Sequence, residues 1–454
     1  MPSSDSIDPQ RQREFAVEVV RQLRGAGYIA LWAGGCVRDS LLGRTPDDYD
    51  VATSARPEQV QAVFGHRRTL AIGASFGVIM VLGPKGGRTG QVEVATFRTE
   101  GPYHDGRRPE HVSFSTPEED AQRRDFTVNG MFYDPVAEQV HDYVGGKRDL
   151  ELKLLRAIGE PLQRFREDKL RMLRAVRLAT RFEFALDEST ARAIQEMSAE
   201  ILIVSHERIA QELKKMLENR HRARAIDLAR ELGLLGMIFP ELVPVWTGYH
   251  HEAAPGQVSP RWTKTLRMLE SLEDPDFELA MATLFHEFSP RPDQGLPAEA
   301  APEQTVAAVH VLCRRLKLSN EESDRIGWLV THQHAIRGLR EQPLSRTKRL
   351  LASPLIRDLL ALNRAEVLAS DGSLDAVEFC EEKLRTWTAA EINPPPILSG
   401  DDLIRHGLRP GAEFKNLLEV VRDAQLEGKI ADKFAALALV DRLRAKPGAD
   451  TKEV

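Results

Sequence analysis

The sequence predicts an α+β chain: a small antiparallel sheet with flanking helices in the first third, then helices to the end. Three observations lead there. Before residue 150, short apolar or alternating runs (YIALWAGG, YDVAT, FGVIMVLG and QVEVATF) are separated by Gly- and Pro-rich turns, the pattern of short strands. After residue 150, apolar residues recur at helical spacing and strand-like alternation almost disappears. The 454 residues exceed what one hydrophobic core organises, so several packed segments are expected.

The elements follow in order. Phe15, Val19, Val20 and Leu23 share one face of a helix over residues 11 to 25 that ends at Gly25 and Gly27. YIALWAGG reads as a buried strand entering a glycine turn, and CVRDSLLG as a short helix closed by Gly43. YDVAT, FGVIMVLG and QVEVATF are three further strands, the last two joined by PKGGRTG. In the helical remainder, Pro and Gly collect in FPELVPVWTGYHHEAAPG, SPRPDQGLPAEAAPEQ and INPPPILSG, where breaks are expected. The boundaries drawn from this are 1–150, 151–243, 244–390 and 391–454.

Composition narrows the class. Apolar residues make up 42% and there is no uncharged apolar run of about 18 residues, so no membrane span is expected. The polar start MPSSDSIDPQRQREF lacks the apolar core of a secretory signal, which suggests a cytoplasmic protein. Cys36, Cys313 and Cys380 stand far apart without a CxxC pair or His cluster, so neither disulfides nor a zinc site is expected. A net charge of −6 argues against coating nucleic acid by bulk charge but leaves a local basic groove open.

Asp48 and Asp50 stand two apart beside a strand, so their carboxylates point to one side. Two adjacent like charges are unfavourable unless a cation lies between them, and Mg²⁺ bound through one or two carboxylates is a common solution. A solvated acidic turn is the bland alternative. Against it, Gly34, Gly35 and Arg38 lie about ten residues upstream, where backbone amides and a guanidinium can hold phosphates. Glu93, on QVEVATF, is a candidate third acid, or else the partner of a neighbouring arginine.

The segment FREDKLRMLRAVRLATRF predicts one helix with two faces. At 100° per residue, Asp168, Arg171, Arg174, Arg177 and Arg181 share one stripe, while Met172, Ala175, Val176 and Ala179 share another. The bland reading is a solvated face laced with ion pairs.

WAGGCVRDSLLGRTPDDYDVAT, VEVATFRTE, RRDFTVNGMFYDP, DYVGGKRDL and FREDKLRMLRAVRLATRFEF occur in the order and spacing of bacterial tRNA nucleotidyltransferases. Together they resemble the class II CCA-adding enzyme and poly(A) polymerase family. Looser similarity continues through SHERIAQELKKML, LGLLGMIFPEL and LSGDDLIRHGLRPG. The resemblance implies a polymerase-β-like nucleotidyltransferase head at 1–150, then a helical neck, body and RNA-binding tail. It implies template-independent addition of CCA to the 3′ end of tRNA from CTP and ATP by a two-metal mechanism with Mg²⁺, the acceptor arm being the RNA partner.

Residue by residue, the resemblance assigns metal binding to Asp48 and Asp50 and nucleotide binding to Gly34, Gly35, Arg38, Arg124 and Asp125. Asp125 is the matched acceptor for a ribose 2′-hydroxyl, with a structural Arg–Asp network as the alternative. Asp168 and Arg171 would read the base edge: the carboxylate accepts from the amino group of cytosine or adenine, and the guanidinium donates to the adjacent ring nitrogen. Uracil and guanine present the reverse pattern. Arg174 and Arg177 would hold the nucleotide or its phosphates. A flexible loop with Arg107, Arg108 and Glu110 would help change specificity from C to A.

Some members carry an HD-type phosphohydrolase module, but here Lys264 and Glu287 stand where His and Asp are expected beside His286, so no hydrolase activity is expected. His250 and His251 read as surface or core residues. Ala74 and Ser75 stand where poly(A) polymerases tend to show paired basic residues, which favours tRNA end maturation. Poly(A) synthesis, CC-only or A-only addition, and a non-catalytic RNA-binding protein are the alternatives.

Overall fold

The computed structural model describes residues 7–73, 77–100, 112–248, 257–287 and 302–445. The chain divides into two compact units, Met1–Glu241 and Leu242–Val454.

The first unit opens with α1 (Pro9–Gly25), capped by Asp8, whose side chain accepts from the Gln10 and Arg11 amides. Phe15, Val19, Val20 and Leu23 form its buried face. Next come β1 (Ala30–Ala33), α2 (Gly35–Leu41), β2 (Asp50–Thr53), α3 (Pro57–Phe64), β3 (Thr69–Gly73), β4 (Val78–Leu82) and β5 (Gln91–Thr96). A separate hairpin, β6 (Arg98–Glu100) with β7 (Val112–Phe114), leads through α4 (Pro117–Gln122) to β8 (Phe132–Asp134), β9 (Gln139–His141) and α5 (Gly146–Glu151).

Seven strands form one sheet in the order β3-β4-β5-β2-β1-β8-β9. The pairing is antiparallel as expected except at one junction, where β2 and β5 run parallel and bring Asp50 opposite Glu93. That junction follows from the connectivity: α3, β3 and β4 intervene between the two strands, so β5 returns in the direction of β2. Leu31, Ala33, Ala52, Phe97, Ala121 and Phe132 form a cluster on the sheet, with Phe97 edge-on to Phe132. The strands β3, β8 and β9 escaped the sequence reading because each is too short, or too mixed in composition, to show a period.

The remainder of this unit is helical apart from a two-residue parallel bridge between Leu154–Leu155 and Ala185–Leu186. The expected single helix over 165–182 is two: α6 (Pro161–Glu167) and α7 (Leu170–Phe182), separated by Asp168 in extended backbone at φ −145° and ψ 105°. Its side chain accepts from the Leu170 amide, which favours ending one helix and starting the next at this residue. The apolar stripe of α7, including Met172, Ala175, Val176 and Ala179, is buried. After α8 (Glu188–Met197), α9 (His206–Leu217) packs on α7.

The second unit is wholly helical among the described residues. Helix Pro260–Ser271 packs on Ile356–Ala369, and Asn320–His332 on both Phe277–Leu284 and Pro302–Arg315. A separate apolar cluster joins Leu398, Leu403, Leu417, Val421, Ala436 and Val440. Cys36, Cys313 and Cys380 are buried free thiols.

The glycine pair in DYVGGKRDL has a steric cause. Gly145 sits at φ 79°, and a Cβ on Gly146 would lie 2.1 Å from the Thr127 carbonyl oxygen and 2.8 Å from Met131. Gly146→Ala is therefore expected to destabilise the first unit by about 1–3 kcal/mol. A thermal melt indistinguishable from the parent would show that α5 can move away from Thr127 without cost.

Candidate nucleotide and metal site

Arg171, Arg174 and Arg177 of α7 meet Gly34 and Gly35 at the start of α2 in one cavity of about 500 Å³, while Arg181, expected on the same stripe, is not among its lining residues and pairs with Asp47 at 3.2 Å. Its walls include Gly34, Gly35, Arg38, Asp48, Asp50, Arg123, Arg124, Asp125, Asp168, Arg171, Arg174, Arg177 and Arg208. Every expected nucleotide-binding residue thus faces the same space. Glu93 lies beside it, in register with Asp50 across the parallel junction. Arg107, Arg108 and Glu110, like Ala74, Ser75, His250 and His251, lie outside the described residues.

Gly34 begins α2 at φ 73°, and a Cβ there would stand 3.1 Å from Arg124 Nη1, so glycine is needed both for the turn and for the close approach. Arg38 is buried. It donates from Nε to Asp39 at 2.9 Å and from Nη1 to Asn129 at 2.6 Å, and its guanidinium lies 4.2 Å from the centre of the Phe182 ring. Burial pulls its pKa down from the ordinary arginine value, with Asp39 opposing.

The other guanidinium groups are held from behind by carboxylates. Asp120, 1% exposed, accepts from Arg123 at 2.9 Å and from Arg124 at 3.0 and 3.1 Å. Burial alone would raise the Asp120 pKa, but Arg124 and Arg123 bring it below the usual range. Arg177 pairs with buried Glu212 at 2.6 Å, and Arg171 with Glu167 at 2.6 Å. Arg171 also donates to the main-chain carbonyls of Arg164 and Arg123, which fixes its plane.

One expectation needs correction. Asp125 does not offer a free acceptor: Oδ1 accepts from the Phe126 amide and Asn129 Nδ2, and Oδ2 takes both Nε and Nη2 of Arg174. A carboxylate has about four lone-pair sites, so these four bonds use its capacity. Burial opposes its ionisation, yet Arg174 keeps its pKa well below the carboxylate range, and the Arg–Asp network is the arrangement present. Asp168 and Arg171 are not bonded to each other: the break before α7 turns Asp168 toward Arg208, at 2.7 and 3.2 Å. Both still face the cavity, each with its own counter-ion.

Arg208, Arg123 and Asp120 were missed in the sequence. Arg208 belongs to HERIAQELKKML, where it looks like any surface charge, and only the packing of α9 on α7 brings it to Asp168. Asp120 sits in an acidic run that gives no sign of its burial. The Arg-Arg pair at 123 and 124 was visible, but the separate use of both was not.

Asp48 is exposed and Asp50 half-buried at the mouth of β2. Burial first, then the charges of Asp48 and Glu93, push the Asp50 carboxyl up to about 7, with Arg124 opposing. Desolvation and the nearby Asp48 raise Glu93 as well. Among the described residues no group of three or more His, Cys, Asp or Glu side chains is gathered closely enough to hold a metal ion by itself. The fit is to a hard divalent cation taking two carboxylate oxygens, Asp48 and Asp50, with its other ligands from water and phosphate. Hard oxygen donors, one of them on an acid whose pKa is raised by burial and by neighbouring carboxylates, suit such an ion.

In the second unit, Lys264 lies among acids, 2.9 Å from Glu366 and 3.5 Å from Glu287. Arg337 binds Glu366 at 2.8 Å, and buried His286 meets the Thr283 carbonyl through Nδ1. The Lys264 ammonium thus shares with Arg261 and Arg337 the positive charge of this network.

Residues 30–156 match the family described as "Poly A polymerase head domain", and residues 183–245 the one described as "Probable RNA and SrmB- binding site of polymerase A". Over 221 residues the chain is 42% identical to the CCA-adding enzyme of Geobacillus stearothermophilus, covering 48% of this chain and 53% of that protein. The chain is similar to the class II tRNA nucleotidyltransferases and bacterial poly(A) polymerases. The CCA-adding enzyme of Bacillus subtilis is similar too, at 43% identity over 212 residues, 46% of this chain and 52% of that one. The match thus spans about half the length of these curated relatives. In fold the likeness is longer: the crystal structure of the Bacillus stearothermophilus CCA-adding enzyme in complex with CTP gives a TM-score of 0.71 at 28% identity, over 96% of this chain and 98% of that one. The Thermotoga maritima CCA-adding enzyme complexed with tRNA shares the family fold at 19% identity and a TM-score of 0.61, over 97% of each chain.

An ionised Asp50 strains the metal-free fold. Its folded pKa of about 7 lies above the value near 3.9 of an unfolded aspartate, so the stability present below pH 4 is lost as pH rises through 7. In a chelating buffer at pH 8, Asp50→Asn should be more stable than the parent by roughly 2–4 kcal/mol, with the gap closing toward pH 4. Thermal melts across that range decide it; a parent as stable as Asp50→Asn at pH 8 would remove the charge penalty assigned to this site.

Proposed function

We propose that the chain builds or repairs the CCA end of tRNA, adding C, C and A from CTP and ATP in the presence of Mg²⁺. The observation that carries this reading is the convergence on one cavity of the Asp48–Asp50 pair, a wall of arginines, and Asp168 with Arg171. The named relatives are CCA-adding enzymes, and the similar structure at 28% identity holds CTP.

Asp48 and Asp50 would hold Mg²⁺. When bound there, such an ion lowers the pKa of an attacking hydroxyl and offsets the charge of departing pyrophosphate. The chain's own contribution is positioning and charge. Arg124, Arg174 and Arg177 present fixed donors to the triphosphate, and their buried acid partners prevent them from following a misplaced one. Arg38 acts more indirectly, since Asp39 and Asn129 occupy it; it braces the first turn of α2.

Base choice falls to Asp168 and Arg171. A carboxylate beside a guanidinium accepts C and A but leaves like groups facing each other with U or G. Arg208 bonds both oxygens of the Asp168 carboxylate and fixes its plane, and Glu167 orients Arg171. The partner RNA is the tRNA acceptor arm, with CTP and ATP as substrates. No helix among the described residues is long and apolar enough to cross a membrane, and we place the reaction in the cytoplasm.

The test is a gel assay with purified protein, Mg²⁺ and tRNA transcripts ending before CCA, after C and after CC, each with labelled CTP, ATP, UTP or GTP. CCA addition followed by a stop is expected. CC alone or a single A would make this a partial enzyme, a long A ladder a poly(A) polymerase, and no incorporation a non-catalytic RNA-binding protein. Asp48→Ala or Asp50→Ala should abolish incorporation while tRNA binding in a filter assay persists. Asp168→Ala should admit UTP or GTP at the cost of about tenfold or more in discrimination. Near-parental incorporation by Asp48→Ala would refute the metal assignment.

A further inference from the structure

A second cavity, of about 570 Å³, lies on the other side of the segment that carries the acid pair. The strand entry divides the two: Asp48 and Asp50 line the arginine-rich cavity, and Tyr49 between them lines the second. Along α2, Arg38 faces the first, while Val37 and Leu41 face the second.

The lining of this second cavity differs from the first in one respect that bears on a ligand. Arg13 and Arg44 are exposed, and neither has a carboxylate partner among the described residues; their neighbours are rings, Trp32 at 5.6 Å from Arg13 and Phe182 at 5.1 Å from Arg44. Among the described residues no Asp or Glu lines the space. Its floor is the half-buried Tyr133 ring and the exposed Leu41 side chain over buried Trp32 and Tyr49, with Tyr49 and Tyr133 packed on Trp32 at centroid distances of 4.7 and 5.6 Å. The Trp32 indole N–H is buried without an acceptor, an omission unusual for a tryptophan in a packed core.

We propose that this cavity is a second ligand site that takes a nucleoside monophosphate unit, the phosphate held by Arg13 and Arg44 and the base by the aromatic and apolar floor. Two uncompensated guanidinium groups call for an anion with several acceptor oxygens. Aromatic rings beside them call for a flat, polarisable body rather than phosphate alone. The volume falls in the range of small-molecule sites. The inference does not depend on which nucleotides the arginine-lined cavity takes, because the two share no lining residue.

Isothermal titration of the full chain with UMP, uridine and inorganic phosphate tests it, without Mg²⁺. UMP should bind a site that Arg13→Ala/Arg44→Ala weakens by about a hundredfold, roughly tenfold for each lost charge-assisted contact. Arg13→Lys/Arg44→Lys should retain part of the affinity, and Arg174→Ala, on the other cavity, should leave this site in place. Uridine and phosphate should each bind at least about tenfold more weakly than UMP. The dinucleotide UpU binding this site more tightly than UMP would identify an RNA end as the source of the unit; UMP binding more tightly would identify free nucleotide. Phosphate binding as tightly as UMP, or UMP affinity unchanged in Arg13→Ala/Arg44→Ala, would overturn the proposal. Incorporation by this variant in the gel assay separates failure here from failure of the polymerase reading.

Discussion

Seven guanidinium groups face one cavity, and the cost of holding like charges together there governs how this part of the molecule is built. Left alone, Arg38, Arg123, Arg124, Arg171, Arg174, Arg177 and Arg208 would swing apart into solvent. Each is instead anchored to an acid. Asp120, Asp125 and Glu212 are buried, so their bonds to arginine are strong and poorly screened. Removing one partner would leave a buried charge uncompensated, which costs more than the pair is worth. The result is a wall whose donors are fixed before any ligand arrives, the condition under which preorganised donors stabilise negative charge most.

The acid side of the cavity is built on the opposite principle. Asp48, Asp50 and Glu93 are brought near one another by β2 and its parallel neighbour β5 without enough positive charge to balance them. Arg124 offsets part of Asp50, but its bonds go to Asp120. One wall is therefore satisfied and the other is not, and the unsatisfied wall is where a divalent ion has something to gain. The second unit offers a contrast: there the acids Glu287 and Glu366 are matched by Lys264, Arg261 and Arg337. Those carboxylates already have their cations.

What could be read from the sequence divides along the same line. Asp48 with Asp50 and the arginine stripe of α7 were legible because local spacing fixes which side chains share a face, whatever the tertiary structure. The apolar stripe of α7 was legible for the same reason. The partners were not. Arg208 reaches Asp168 from 40 residues away, Glu212 reaches Arg177 from 35, and Asp125 reaches Arg174 from 49. Such pairings depend on helix packing, which a single sequence does not display. The break at Asp168 was hidden because FREDKLRMLRAVRLATRF is helical in composition throughout; the side-chain bond to the Leu170 amide that accompanies the break leaves no periodic trace.

The parallel junction of β2 with β5 was also invisible, since direction of pairing is set by connectivity and not by the residues in either strand. Yet this junction gives the sheet its functional asymmetry. It places Glu93 opposite Asp50, and it makes β2 a central strand whose residues 51 to 53 are all buried. With the strand fixed on both edges, its entry at Asp48-Tyr49-Asp50 cannot turn over. The two acids are then committed to one side and Tyr49 to the other, so a single three-residue segment supplies a charged wall to one cavity and an aromatic floor to its neighbour.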